Sequence, residues 1–333
     1  MLLAAGRSSR LGALGAAMPK PLVPICGYAP IAYGLCLCQQ AGLTDVIINV
    51  HHLGEMIEDA VGGGNNLGLR VRFSFERDLL GTGGGLAFAR RLFRSEPVLV
   101  MNAKVVMDID LQAFIAAHLA GGREAVATMA LRPAPAEGGF APVEVDQAGR
   151  VVAIRGVRGS YAPVGAVKPM MFTGVHVLTS AFLDRLPRTG ESDVVADAYL
   201  PAIQNGEVVN FVRMDGYFEE HSTPERYLAG NMALLSAPQS ISHAPGPMVG
   251  ADPSSIVHAT ADLQPPYRIC EGALIEAGAV VGPNVVIGAG ATVGRNARVS
   301  RSVVWPGVTV QGEVRDAVVT MEGVVGMVSG LVE

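Results

Sequence analysis

One spacing dominates the chain from Val257 onward. Val257, Leu263, Ile269, Ile275, Val281, Ile287, Val293 and Val299 stand six residues apart without a gap. Two places before each stands Ser255, Ala261, Tyr267, Ala273, Ala279, Val285, Ala291 or Ala297, small in most cases. On a strand, residues i and i−2 share a face, so both sets point inward together. One short strand per six residues closes a triangular coil of about 18 residues, and stacked coils make a hexapeptide β-solenoid. Asn284, Gly288, Gly290 and Gly294 suit the corners, where φ is positive. The register slips near Trp305-Pro306, and Val304 and Val310 resume the spacing, which predicts about four coils.

Upstream the pattern is different. Strand-like runs at Val46–Val50, Arg70–Phe75, Val98–Met101, Ala125–Ala130, Val143–Val145 and Phe172–Leu178 alternate with helical patterns. The helical patterns are Pro30–Gln40, Gly54–Val61, Gly84–Phe93 and Leu111–Leu119. This order predicts an α/β fold with a largely parallel sheet and helices on both faces. Ligands of such sheets bind beyond the C-terminal strand ends, which makes Gly6 and Lys104 candidate positions. The stretch SAPQSISHAPGPMVG is rich in Ser, Pro and Gly and carries no sustained period. The expected organisation is therefore an α/β domain over 1–236, a linker over 237–250 and the solenoid over 251–333.

Composition narrows the function classes. Half of the residues are hydrophobic and 17% are charged, with a net charge of −5 and 41 glycines, as in a compact, turn-rich protein. Mild acidity without a Lys/Arg block excludes a nucleic-acid-binding surface. Cys26, Cys36, Cys38 and Cys270 form neither a zinc spacing nor a disulfide framework and read as free thiols. The start, MLLAAGRSSR, lacks the basic region and apolar length of a signal peptide, and no apolar run approaches a membrane helix. A cytoplasmic protein is expected, with no membrane partner.

The segment LLAAGRSSRLGALGAAMPKPLVP begins as a short strand and enters a loop of small residues. Such a loop lets backbone N–H groups approach an anion, and Arg10 and Lys20 add positive charge. It is not a Walker P-loop, because G-x-x-x-x-G-K-[ST] fails here.

Gly6-x-x-x-Arg10 followed by Pro19-Lys20-Pro21-Leu22 resembles the signature of sugar-1-phosphate nucleotidylyltransferases. The similarity continues through residues 47–53 (IINVHHL), 80–85 (LGTGGG), 171–174 (MFTG) and 223–228 (TPERYL), and covers nearly all of residues 1–235. The solenoid is similar to that of mannose-1-phosphate guanylyltransferase-like members, where it is left-handed. In that family a sugar-1-phosphate oxygen attacks the α-phosphorus of a nucleoside triphosphate, releasing pyrophosphate and leaving an NDP-sugar. The resemblance implies that Gly6, Arg7, Ser8 and Ser9 cradle phosphates, with Arg10 at the β/γ end and Lys20 near the α-phosphate. It implies that Leu3, Ala4, Ala5, Glu76, Gly81 and Thr82 frame the base, and that Asn102, Phe140, Ala141 and Gly174 lie on the sugar side. Mg²⁺ is the implied cofactor. A homo-oligomer or partner subunit meeting the solenoid is the implied assembly. His51 and His52, adjacent on a strand, point to opposite faces and read as structural rather than as a chelating pair.

Three departures fall in or beside the implied site. Asn-Gly-Asp, whose Asp holds Mg²⁺ in the family, is Asn102-Ala103-Lys104 here. The second carboxylate segment, Asp-x-Gly-Thr-Pro, is Glu220-His221-Ser222-Thr223-Pro224, and a Tyr-Gly is Phe140-Ala141. An ammonium cannot ligate Mg²⁺, and Ala103 adds a Cβ where the family has none. Glu220 remains as a metal-ligand candidate, opposite the position that Lys104 occupies. Asp108 and Asp110 could compensate, and Asp110 could also cap the following helix. Three arrangements of Lys104 are open: an ion pair with Glu220, direct neutralisation of a phosphate, or an outward turn. Two functions follow, a working nucleotidylyltransferase or an impaired relative that binds nucleotide or NDP-sugar as a regulatory or assembly subunit.

Overall fold

The computed structural model describes residues 1–6, 11–12, 14–15, 18–94, 97–121, 124–135 and 140–326. The expected phosphate-cradling residues Arg7, Ser8, Ser9 and Arg10 lie outside the described residues. The chain divides into two compact units, each assembled from several stretches. The first comprises Met1–Gly6, Leu37–Ala103 and Ile109–Gly216, and the second Arg7–Cys36, Lys104–Asp108 and Tyr217–Glu333.

Among the described residues twelve strands precede the solenoid. They are β1 (Leu2–Leu3), β2 (Asp45–Val50), β3 (Arg70–Phe75), β4 (Val98–Asn102), β5 (Val106–Met107) and β6 (Ala125–Pro133). Then come β7 (Val143–Val145), β8 (Val151–Ile154), β9 (Val157–Arg158), β10 (Lys168–Leu178), β11 (Val208–Arg213) and β12 (Phe218–Glu219). In the first unit ten of them form one mixed sheet in the order β3-β2-β1-β4-β10-β7-β8-β9, with β6 pairing β10 and β11. The β1–β4 part is parallel, while β10 runs antiparallel to β4, β6 and β7. Val100, Met129, Leu131, Leu178, Phe182 and Tyr199 form its core. The buried His176 ring meets the Tyr199 hydroxyl at 2.8 Å.

Local sequence explains the helix boundaries. Asp110 accepts the Ala113 N–H at 2.9 Å and caps helix Leu111–Ala120, whose Leu111, Phe114 and His118 face inward at helical spacing. The Gly-rich helix begins at Gly81, three residues before the expected start. Glycine lowers helix propensity, so the sequence pattern places a turn there. Packing overrides propensity: a Cβ on Gly83 or Gly84 would stand 2.5 Å from Ser192 Oγ or 2.6 Å from Gly190 O.

In the second unit the solenoid has three parallel faces, with strands stacked 18 residues apart up to Val299. Ile269, Ile275, Val281, Ile287, Val293 and Val299 are almost fully buried, as are Ala273, Ala279, Ala291 and Ala297. Each fully buried Val or Ile contributes roughly 1.5–3 kcal/mol, so this repeated ladder holds the coils together. Val286 pairs with Val303 and Val293 with Val310, so one residue is lost before Trp305. Asn284 and Gly290 have φ of 61° and 63°, as the corners require. Gly288 and Gly294 do not have positive φ. Gly288 is glycine because a Cβ would stand 2.5 Å from Pro306 N, whereas at residue 294 a Cβ would meet only the movable end of the exposed Gln311 side chain.

The solenoid shares its core with parts of the chain that the repeat does not include. Leu11, Val23, Ile25, Tyr33, Tyr227, Met232 and Leu235 belong to one buried cluster with Val286, Val303, Trp305 and Val318. Helix Pro224–Ser236, capped by Thr223 with Pro224 in its first turn, carries Tyr227 into that cluster. Tyr227 donates to Pro24 O at 2.7 Å and accepts the Trp305 indole N–H at 3.2 Å. Residues 237–250 are packed as well, with Ile241 and Met248 buried in the same cluster. Among the described residues no helix is long and apolar enough to cross a membrane.

Candidate functional site

In the first unit the strand ends bring several of the expected base-side and sugar-side residues together. β1 lies between β2 and β4, pairing Leu3 with Asn49 and with Asn102. Asn49 accepts the Ala4 N–H at 2.9 Å and donates to Glu76 Oε1 at 2.7 Å, and Glu76 Oε2 accepts the Leu80 N–H at 3.1 Å. Glu76 is thereby turned inward as a strut between β1, β2 and the turn that ends at Gly81. Burial pushes its carboxyl upward, against the hydrogen bonds that favour the charged form. Asn49 was not among the expected site residues; its signal was a polar residue inside an otherwise apolar strand, IINV. His51 contacts Glu76 O through Nδ1 at 3.0 Å, a structural role at the strand end.

Gly85 is packed against this strut. A Cβ there would stand 2.7 Å from Glu76 Oε1 and 2.8 Å from Asn49 Nδ2, atoms that their hydrogen bonds hold in place. Alanine gains up to about 1 kcal/mol of helix propensity, but overpacking costs about 1–3 kcal/mol. Gly85→Ala is therefore expected to lower Tm by a few degrees. Calorimetry checks this, and an unchanged Tm would remove the strut argument.

Gly81 has φ of +71° and abuts Ser192 O, while the Thr82 hydroxyl accepts the Val194 N–H at 3.0 Å. Of the expected sugar-side residues, Gly174, with φ of +81°, lies beside the Asn102 side chain, leaving no space for a Cβ. Phe140 and Ala141 are exposed, and the structure does not bring them into this cluster by any described contact. Gly6 follows β1 in a turn, its N–H donating to Ala4 O at 2.9 Å, and Ala5 lies between them.

The second unit holds a crevice with room for little more than a water molecule, lined by Leu11, Lys20, Lys104, Glu220, His221 and Tyr227. Lys20 opens a short 3₁₀ turn over Lys20–Leu22 and is buried. The Lys104 ammonium and the Glu220 carboxylate form an ion pair, the first of the three open arrangements. Asp108 is turned elsewhere: its Oδ1 accepts the Ser242 N–H at 3.0 Å and hydroxyl at 2.7 Å. Asp110 is the helix cap already described, so neither carboxylate compensates for Lys104.

The residues present do not fit Mg²⁺. Among the described residues no group of three or more His, Cys, Asp or Glu is placed to hold a metal. A divalent ion within about 4 Å of an ammonium meets roughly 8 kcal/mol of repulsion at an effective dielectric of about 20. Glu220, the one carboxylate at the position, is already paired.

His221 lies beside this pair with φ of +48° and both ring nitrogens lacking a hydrogen-bond partner among the described residues. Its ring packs on Gly230, where a Cβ would collide with it. Burial pushes His221 down to about 3, opposed by a hydrogen bond involving Glu219 and reinforced by the Arg226 charge, and burial holds His176 at about 3 as well. An unfolded histidine titrates near 6.5. Both folded pKa values are depressed, so this stability is complete above about pH 6.5 and is lost as pH falls toward about 3. Each ring contributes a slope of up to about 1.4 kcal/mol per pH unit. Melting curves from pH 7.5 to 4 are expected to fall steeply, and His221→Asn, which tolerates the left-handed backbone, should flatten them. An equally steep fall in that variant would rule His221 out as a source.

The family model for nucleotidyl transferases matches residues 1–235, and the model described as the GMPPB C-terminal domain matches residues 263–331. An N-acetylmuramate alpha-1-phosphate uridylyltransferase of Neisseria meningitidis is 43% identical over 114 residues, 34% of this chain and 49% of that protein. A mannose-1-phosphate guanylyltransferase of Mycobacterium tuberculosis is 26% identical over 281 residues, covering 84% of this chain and 75% of that one. A mannose-1-phosphate guanyltransferase beta-B of Xenopus laevis is 27% identical over 73% of this chain and 65% of its own length. The chain thus spans about half the length of the first of these relatives and about two thirds of the third. The crystal structure of HddC from Yersinia pseudotuberculosis superposes with a TM-score of 0.57 at 20% identity, covering 70% of this chain and 97% of that one. At that identity the likeness speaks for the fold.

Proposed function

The chain belongs to the nucleotidyl transferase family, and from that premise we propose that it binds the ligands of a mannose-1-phosphate guanylyltransferase-like protein with little turnover. Those ligands are a nucleoside triphosphate with a sugar-1-phosphate, or the NDP-sugar they would form. Relatives named for mannose-1-phosphate and the matching C-terminal domain support this ligand set. The Lys104–Glu220 ion pair carries the reduction in turnover, because it puts an ammonium where the family has a metal-holding carboxylate. Within the first unit, Leu3, Ala4, Gly81, Asn102 and Gly174 around the strand ends are proposed to meet base and sugar; within the second, Lys20 is proposed to meet a phosphate. A binding protein of this kind suits a regulatory or assembly role, with the solenoid as the surface for a second copy or a partner subunit.

A second reading, an enzyme of ordinary rate, rests on the retained Lys20 and the intact strand-end cluster. Pyrophosphate release separates the two. GTP, UTP, CTP and dTTP are each incubated with mannose-1-phosphate, glucose-1-phosphate and N-acetylmuramate-1-phosphate in Mg²⁺. A kcat in the usual range of about 1–10³ s⁻¹ for any pair establishes the enzyme and removes the proposed reading. Binding without such release supports it.

A further inference from the structure

We infer that the Lys104 ammonium, held by Glu220, is the resident cation of this crevice, so that phosphate-bearing ligands bind here without a divalent metal. The inference rests on the ligand class proposed above. In the family arrangement two carboxylates and one divalent ion sum to no net charge, and a lysine leaves one positive charge. In this chain the Lys104–Glu220 pair also sums to no net charge, and the buried Lys20 lines the same crevice. The charge that the family takes up with each metal ion is covalently built in. An added divalent ion would find a single, already paired carboxylate and an ammonium beside it.

The geometry lets the ammonium serve. The Lys104 side chain is 28% exposed and that of Glu220 is 15% exposed, so the carboxylate is the more covered of the two. An ammonium has three donors, and Glu220 engages it from one side, which leaves donors for phosphate oxygens. The ion pair also fixes a side chain that would otherwise lose rotamer freedom when a ligand arrives. The crevice is too small for a phosphate group, so the phosphate meets the ammonium at its mouth.

Isothermal titration of the full chain with GTP, GDP and GDP-mannose, each in MgCl₂ and in EDTA, tests this. The ligand that binds most tightly is expected to change its Kd by less than about threefold between buffers, since no metal is recruited. Lys104→Arg is expected to keep that affinity. Lys104→Met is expected to weaken binding in EDTA by about tenfold or more, through loss of a charge-assisted contact. Because Lys104→Met leaves Glu220 unpaired, Lys104→Met with Glu220→Gln is the second variant. It keeps the net charge, leaves no orphaned carboxylate, and is expected to lose affinity by a similar factor. If that double variant binds like the parent, the pair is structural only and the inference falls. If Mg²⁺ tightens binding to the parent by about tenfold, the inference falls while the functional reading stands. If none of the three ligands binds in either buffer, both fall.

Discussion

Lys104→Asp combined with Ala103→Gly is expected to raise pyrophosphate release by on the order of 10²–10³-fold, and to make it respond to Mg²⁺. The double change replaces the ammonium by a carboxylate beside Glu220 and removes the buried Cβ of Ala103. Without metal, two neighbouring carboxylates repel, so the variant should melt below the parent in EDTA and recover when Mg²⁺ is added. The parent should show no such recovery. Release that stays at the parental level in the folded variant would mean that the obstacle to turnover lies elsewhere, with the exposed Phe140-Ala141 segment the next place to look.

Ending the chain at Ser236 is the second change with a large expected effect. By sequence pattern the α/β part finishes there, and the remainder reads as a repeat domain that could be removed. In the structure Tyr227, Met232 and Leu235 share one buried cluster with Val286, Val303, Trp305 and Val318. Tyr227 also loses the Trp305 indole N–H as a partner. Exposing several large apolar side chains at roughly 1.5–3 kcal/mol each is comparable to a whole domain's stability of about 5–15 kcal/mol. The shortened chain is expected to aggregate or to show no cooperative melting of the segment that carries Lys20 and Glu220. Trp305→Ala gives a graded version, costing about 3–5 kcal/mol in denaturant titration. A soluble chain of residues 1–236 that melts cooperatively and binds nucleotide would refute the shared core.

Much of the fold was legible because it repeats. A period of six places Ile269, Ile275, Val281 and Ile287 in a core without knowledge of any neighbour, since strand alternation alone decides which side is buried. The same holds for the apolar strand Asp45–Val50 and for Asp110, a helix cap readable from the residues that follow it. Less was legible at the site. The hydrogen bonds of the Glu76 carboxylate to Asn49 and Leu80 had no signal in the local sequence. Gly288 looked like a corner glycine, but the next coil's backbone explains it. These roles depend on neighbours far away in the chain, for which local pattern carries no signal.

By itself the sequence determined the solenoid, the α/β unit before it, the kinship of residues 1–235 and a lysine where the resemblance implies a carboxylate. What that exchange amounts to was decided by tertiary structure alone. An ammonium at residue 104 could have pointed outward, met a ligand or found a carboxylate, and all three are compatible with the same letters. Pairing of strand Phe218–Glu219 with strand Val106–Met107 within one unit brings the ammonium to Glu220. Charge pairing is a matter of distance through space, and only the folded chain sets that distance.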